Sequence, residues 1–127
     1  ALMGSRGTIT ILTSQNHQFY APEKIVTEIR KYKKEVCEKV NQTEEEFEIN
    51  YEALLAFINV LDYIQYESFM DTAKEAIGKR DIKDADYLAC GLAIKANFIW
   101  SNDKDFEDVQ NIIPIKTTDQ FIEEGKL

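Results

Sequence analysis

A three-layer α/β/α sandwich around a mainly parallel sheet is the fold predicted by three features of the sequence. Strand-like runs alternate with helix-like runs along the chain. One helical segment, YLACGLAIKA after Asp84, is apolar on nearly every side, which suits a central helix covered on more than one face. The length of 127 residues with 44% hydrophobic content suits one domain with one core, so residues 1–127 are expected to form a single domain.

Near the start of the chain, Thr8 to Leu12 supports a strand by composition and a short helix by spacing. Gln18-Phe19-Tyr20-Ala21 reads as a short strand, with Pro22 at the first turn of a helix, where proline costs no hydrogen bond. That helix is expected to run to about Val40, because Ile25, Ile29, Tyr32, Val36 and Val40 recur at three- and four-residue spacing. Lys31, Lys33, Lys34 and Lys39 lie mostly outside that stripe. Thr43 with Glu46 is a capping-box signature for a second helix carrying Phe47, Tyr51, Leu54, Leu55 and Ile58 inward. Val60 to Ile64 fits a short strand or the exit from that helix.

Phe69, Met70, Ala73, Ala76 and Ile77 mark a third helix, which Gly78 is placed to stop in a left-handed conformation. After the central helix, Phe98 to Trp100 reads as a strand. Ile112 to Ile115 reads as another, with Pro114 suggesting an edge. Thr117 with Gln120 caps a last helix through Phe121 and Ile122.

Composition narrows the chemistry. The sequence has no apolar run of about 18 residues and no export-signal pattern, so a cytoplasmic protein without membrane contact is expected. Cys37 and Cys90 lack the paired spacing of a zinc site and are expected to be buried, reduced and structural. With His17 the only histidine, zinc hydrolysis and serine or cysteine nucleophiles are poorly supported. Chemistry therefore falls to carboxylates. The net charge of −8 argues against contact with phosphate, and part of it is the run Glu44-Glu45-Glu46 with Glu48, which reads as a solvated helix start.

The stretch IWSNDKDF ends a strand on Ser101, Asp103 and Asp105, at the carboxyl end of the sheet where open α/β folds bind ligands. Asp84, before the central helix, and Glu28, at the margin of its helix's buried stripe, are able to face the same crevice. Acids converging there need a cation, and hard oxygen donors favour Mg²⁺ or Mn²⁺. Such a site suits metal-assisted phosphodiester hydrolysis. Each residue also has a plain structural role. Asp84 fits a helix N-cap, Glu28 a half-exposed helix position, Asp103 and Asp105 turn residues, and Ser101 a partner for local backbone groups. Asp81 and Asp86 sit in what reads as an exposed, polar approach to the helix.

The series FYAPEKIVTEI, DADYLACGLAIKA, FIWSNDKDF and IPIKTTDQFI resembles the PIN domain, a family of small α/β metal-dependent ribonucleases that includes VapC-type toxins. The resemblance runs from about residue 19 onward. Its most specific part is a helix led by an aspartate, then a strand and a Ser/Thr-x-Asp-x-x-Phe turn, here Asp84, Ser101, Asp103 and Phe106. It implies that Glu28, Asp84 and Asp103 are acids of the metal site, that Asp105 is a softer fourth ligand, and that Ser101 arranges the cluster. It also implies that Thr8 to Leu12 belongs to a first helix. PIN domains usually open with a central strand ending in a D-x-N turn, whereas Ala1-Leu2-Met3-Gly4-Ser5 looks like the segment just past that turn. The fold is then expected to be N-terminally truncated, with the first acid missing and the metal site weakened.

The functional expectation is a Mg²⁺- or Mn²⁺-dependent endoribonuclease, of the kind that serves as the toxin of a VapBC-type pair. Its expected partners are single-stranded or structured RNA, an antitoxin protein and a second copy of itself. Lys79, Arg80 and Lys83, close to Asp84, are candidates for RNA-backbone contacts. The alternative is a catalytically inert PIN-like module that binds RNA or protein. A nucleotide or phosphate binder would need a glycine-rich loop between strand and helix, which the sequence lacks.

Overall fold

In a computed structural model the described residues are 11, 17–39, 41–78 and 82–125, with the side chains of Lys83, Asp105, Glu107 and Asp108 outside the description. The chain divides after Val60 into two compact units.

In the first unit, Ile11 is helical and buried. Thr8 to Thr10 and Leu12 lie outside the described residues. Strand β1 (Phe19–Pro22) pairs with β2 (Ile58–Leu61), and Asn59 Nδ2 donates to the Phe19 carbonyl at 3.1 Å. Pro22 therefore closes a strand and does not open a helix. Helix α1 starts only at Lys24 and runs to Lys31, and α2 covers Lys33–Lys39.

The single helix expected to about Val40 is thus broken at Tyr32, whose N–H donates to the Ile29 carbonyl at 3.2 Å in a tightened last turn. Arg30 and Lys31 sit in that turn, where cations favour the negative end of the helix dipole. Only Ile25 of the expected stripe is fully buried on these helices, and Tyr32 is 50% exposed. Val40 lies outside the described residues.

Helix α3 (Glu44–Leu55) begins as expected, with Thr43 Oγ1 accepting from the Glu46 N–H at 3.1 Å. It buries Phe47 and Tyr51, whose hydroxyl donates to the Val26 carbonyl at 2.7 Å. Ile58 begins β2 after a turn at Ala56 and Phe57, so the expected inward helical position is lost. Glu44, Glu45 and Glu46 are solvated, but Glu48 is not merely so. The Arg30 guanidinium reaches both its oxygens at 3.2 and 3.1 Å, and Lys33 Nζ lies 2.9 Å away. The Lys33 hydrogen bond, with help from the Arg30 and Lys33 charges, holds the Glu48 carboxyl below its ordinary value despite the opposing effect of burial.

In the second unit, α4 (Tyr63–Tyr66) follows β2, and Gln65 Oε1 accepts from the Asp62 N–H at 2.8 Å. A 3-10 turn, Glu67–Phe69, leads into α5 (Met70–Ile77). Gly78 ends it at φ 70°, ψ −151°, a positive φ but not the left-handed helical region expected, and one that favours glycine all the same. A short 3-10 turn, Ile82–Asp84, precedes α6 (Ala85–Ala93).

Helix α6 is the centre of this unit, as its composition predicts. Ala85, Leu88, Ala89, Cys90 and Gly91 are buried in a core with Tyr66, Met70, Ala73, Ile77, Phe106, Val109 and Ile113. Burial of a side chain the size of Leu88 contributes roughly 1.5–3 kcal/mol. A Cβ built on Gly91 would stand 3.1 Å from Ile113 Cδ1 and 3.4 Å from Ile99 Cδ1, so the missing side chain lets the helix close on the strand behind it.

Strand β3 (Ile99–Trp100) runs parallel to β4 (Ile115–Lys116) with Ile99 opposite Ile115. The second strand lies later than expected, because Ile112 and Ile113 belong to a turn and Pro114 precedes the strand, offering its carbonyl to Ile99 N–H at 2.8 Å. Helix α7 (Thr118–Gly125) carries the expected capping box. Gln120 N–H donates to Thr117 Oγ1 at 3.2 Å, and Thr117 N–H to Gln120 Oε1 at 2.8 Å. Helices mixed with parallel strands place the chain in the α/β class. Neither cysteine is in a disulfide; Cys90 is buried and Cys37 half-buried.

Candidate functional site

The carboxyl end of β3 positions the densest group of candidate residues. Ser101 N–H continues the ladder to the Lys116 carbonyl at 3.0 Å, and the chain then leaves the sheet. Ser101 Oγ accepts the Asp103 N–H at 3.0 Å, so the hydroxyl bends the loop and fixes the backbone of the acid two residues on. Asp103 is exposed, its carbonyl accepts from Phe106 N–H at 3.3 Å, and Phe106 is buried in the core. Phe106 therefore anchors the far end of the turn.

Asp84 is half-buried at the N-cap position of α6, with Oδ2 shielded from solvent. Its side chain makes no capping hydrogen bond to the helix amides. Asp86, on the first turn, departs from the exposed position that the sequence suggests. It is half-buried, and the hydroxyl of the buried Tyr66 donates to its Oδ2 at 2.8 Å. Nothing in the local sequence pairs Tyr66 with Asp86, 20 residues apart.

Glu28 lies on α1 of the first unit, half-buried, with Lys24 Nζ 3.5 Å from its Oε1. Asp84, Ser101 and Asp103 belong to the second unit. The side chains of Asp105 and Lys83, and all of Lys79, Arg80 and Asp81, lie outside the described residues. Among the described residues, no group of three or more His, Cys, Asp or Glu is placed to hold a metal ion. No helix among them is long and apolar enough to cross a membrane.

The loop 101–103 has one further support that the sequence does not signal. Trp100 Nε1 donates to Thr118 Oγ1 at 2.9 Å, and the Asn102 side chain bonds Thr118 as well. Phe121 packs edge-on against Phe98 and Trp100 at centroid distances of 4.9 and 5.3 Å. The start of α7 is thereby fixed against the strand that delivers the acids.

An α/β chain that sets an aspartate before its central helix and a Ser-x-Asp-x-x-Phe turn at a strand end has the layout of a PIN-type nuclease fold. The family model described as PIN domain matches residues 1–123, and the chain belongs to the PIN domain family. Members of this family are generally nucleases, typically use divalent metal ions, and are associated with RNA. No curated protein and no solved structure gives a significant match.

Proposed function

We propose that residues 1–127 form a single PIN domain acting as a divalent-metal-dependent endoribonuclease. Glu28, Asp84 and Asp103 hold Mg²⁺ or Mn²⁺, Asp105 stands at the rim, and Ser101 organises the loop. The observation that carries the reading is the family match over residues 1–123. Two local features support it. Asp84 stands at the N-cap position of the central helix with Oδ2 shielded from solvent, and Ser101 fixes the Asp103 amide through its hydroxyl.

The donor set fits the metal, since carboxylate oxygens are the hard ligands that Mg²⁺ and Mn²⁺ prefer. Bound there, the metal supplies a nucleophilic water at neutral pH and offsets charge on the phosphodiester. The acids of the chain concentrate positive charge at the strand end and orient the attacking water. Lys79, Arg80 and Lys83 contact the RNA backbone, so the net charge of −8 does not prevent binding, because the acids that hold metal do not face phosphate directly. The biological setting that fits is a VapBC-type toxin in the cytoplasm, with an antitoxin and a homodimer as partners.

A second reading is an inert PIN-like module that binds RNA or protein. Cleavage of end-labelled single-stranded RNA with Mn²⁺ separates the two. The nuclease reading expects cleavage that EDTA stops and that Asp103→Asn abolishes, since the amide keeps the shape and removes the charge. EDTA-sensitive cleavage persisting in Asp103→Asn would move the site elsewhere. No cleavage by the wild-type chain would leave the binding module.

A further inference from the structure

The residue between Ser101 and Asp103 grips the start of α7 at two points. Thr118 N–H donates to Asn102 Oδ1 at 2.9 Å, and Asn102 Nδ2 donates to Thr118 Oγ1 at 3.1 Å. The same hydroxyl takes the Trp100 Nε1 donor at 2.9 Å, so Thr118 ties together the residues on either side of Ser101. Ser101 N–H is held by the Lys116 carbonyl, and Asp103 N–H by Ser101 Oγ. From Trp100 to Asp103 each residue is fixed by a hydrogen bond, and the anchors for Trp100, Ser101 and Asn102 all come from the segment Lys116 to Thr118.

Asn102 is exposed and buries no core surface. An exposed hydrogen bond adds little to global stability, because water offers Asn102 and Thr118 equivalent partners once they separate. What the paired bonds do is remove torsional freedom from the residue directly before Asp103. A small misplacement of a ligand weakens a metal site far more than it weakens a fold.

We propose that Asn102 and Thr118 are positioning residues for Asp103, so that metal affinity at the strand end depends on a helix start that holds no metal itself. The inference rests on the metal-dependent reading given above. Thr118→Val removes the hydroxyl acceptor and keeps the shape, Thr118→Ser retains the acceptor, and Asn102→Ala removes the amide at an exposed position.

The test is a Mn²⁺ titration of the full chain followed by fluorescence quenching of Trp100, the only tryptophan. Metal-free thermal melts of each variant run alongside. Asn102→Ala leaves the Trp100 to Thr118 bond in place, which separates a loop effect from a change around the reporter. Asn102→Ala and Thr118→Val are expected to bind Mn²⁺ about tenfold or more weakly, with Thr118→Ser near the wild-type affinity and Asn102→Ala melting close to wild type. Wild-type affinity in Asn102→Ala, or failure of Thr118→Ser to restore it, overturns this inference and leaves the metal reading standing. No Mn²⁺ binding by the wild-type chain overturns the metal reading and this inference with it.

Discussion

Lys95 is an unfavourable residue for the position it occupies, and replacing it is expected to stabilise the protein. The chain leaves α6 through two bonds, Ala96 N–H to the Gly91 carbonyl at 2.9 Å and Lys95 N–H to the Leu92 carbonyl at 3.3 Å. This is the paired pattern of a Schellman turn, which puts the residue after the C-cap at positive φ. Lys95 has φ 54°. A residue with a Cβ costs about 1–2 kcal/mol there, whereas glycine forfeits roughly 0.5–1 kcal/mol through its freer unfolded chain. Lys95 is exposed, so its removal loses no packing.

Lys95→Gly should therefore gain about 1 kcal/mol, or about 3–5 °C in Tm for a chain of this size. Asn41 provides a matched control. It has φ 52° in the same kind of turn, where Gln42 N–H meets the Cys37 carbonyl at 3.1 Å. Asparagine tolerates this region better than lysine, so Asn41→Gly should gain less than half as much. Urea and thermal denaturation followed by circular dichroism measure both. A Lys95→Gly chain melting at or below wild type, or an equal gain in Asn41→Gly, would refute the assignment of the cost to Lys95.

Glu48 predicts a pH dependence. Its folded carboxyl titrates below the ordinary value of 4.5, so its clamp with Lys33 and Arg30 contributes stability that is present above 4.5 and lost as pH falls through the lower folded value. The stability difference between wild type and Glu48→Gln should be constant near neutrality and shrink on acidification, and a difference that persists undiminished in acid would exclude the clamp as its cause. Gly91→Ala should be nearly neutral, since about 1 kcal/mol of helix propensity offsets the 3.1 Å approach to Ile113. Gly91→Val, whose branch adds atoms to the same gap, should cost about 1–3 kcal/mol in urea unfolding; equal stability of the two variants would show that the gap is not filled.

Local signals were the legible ones. Thr43 with Glu46 and Thr117 with Gln120 state their helix starts within four residues, because donor and acceptor lie on one turn. The core role of α6 is legible for the same reason, being written in the composition of a single segment. The break at Tyr32 is not, since the apolar spacing from Ile25 to Val36 continues through it unchanged. Ile58 lies four residues after Leu54, at helical spacing, yet a strand partner about 40 residues away claims it. The candidate site divides in the same way. Ser101 and its bond to Asp103 are contained in SNDKDF, whereas Asn102 acquires its role only from Thr118, 16 residues on, and Asp86 from Tyr66.

The Asn102 to Thr118 clasp also sets a timetable. Synthesis proceeds from the N-terminus, and structure that emerges early begins to fold first. A ribosome-bound chain extending past Asp103 already contains the acids proposed for the metal site, but not the hydroxyl and amide at Thr118 that hold their loop. Until that segment is made and docked through Phe121 against Trp100, the loop is an acidic strand end in water. The nascent chain thus carries Asp103 before it carries the segment that fixes the loop around it, which is complete only after the coding sequence has been read past residue 118.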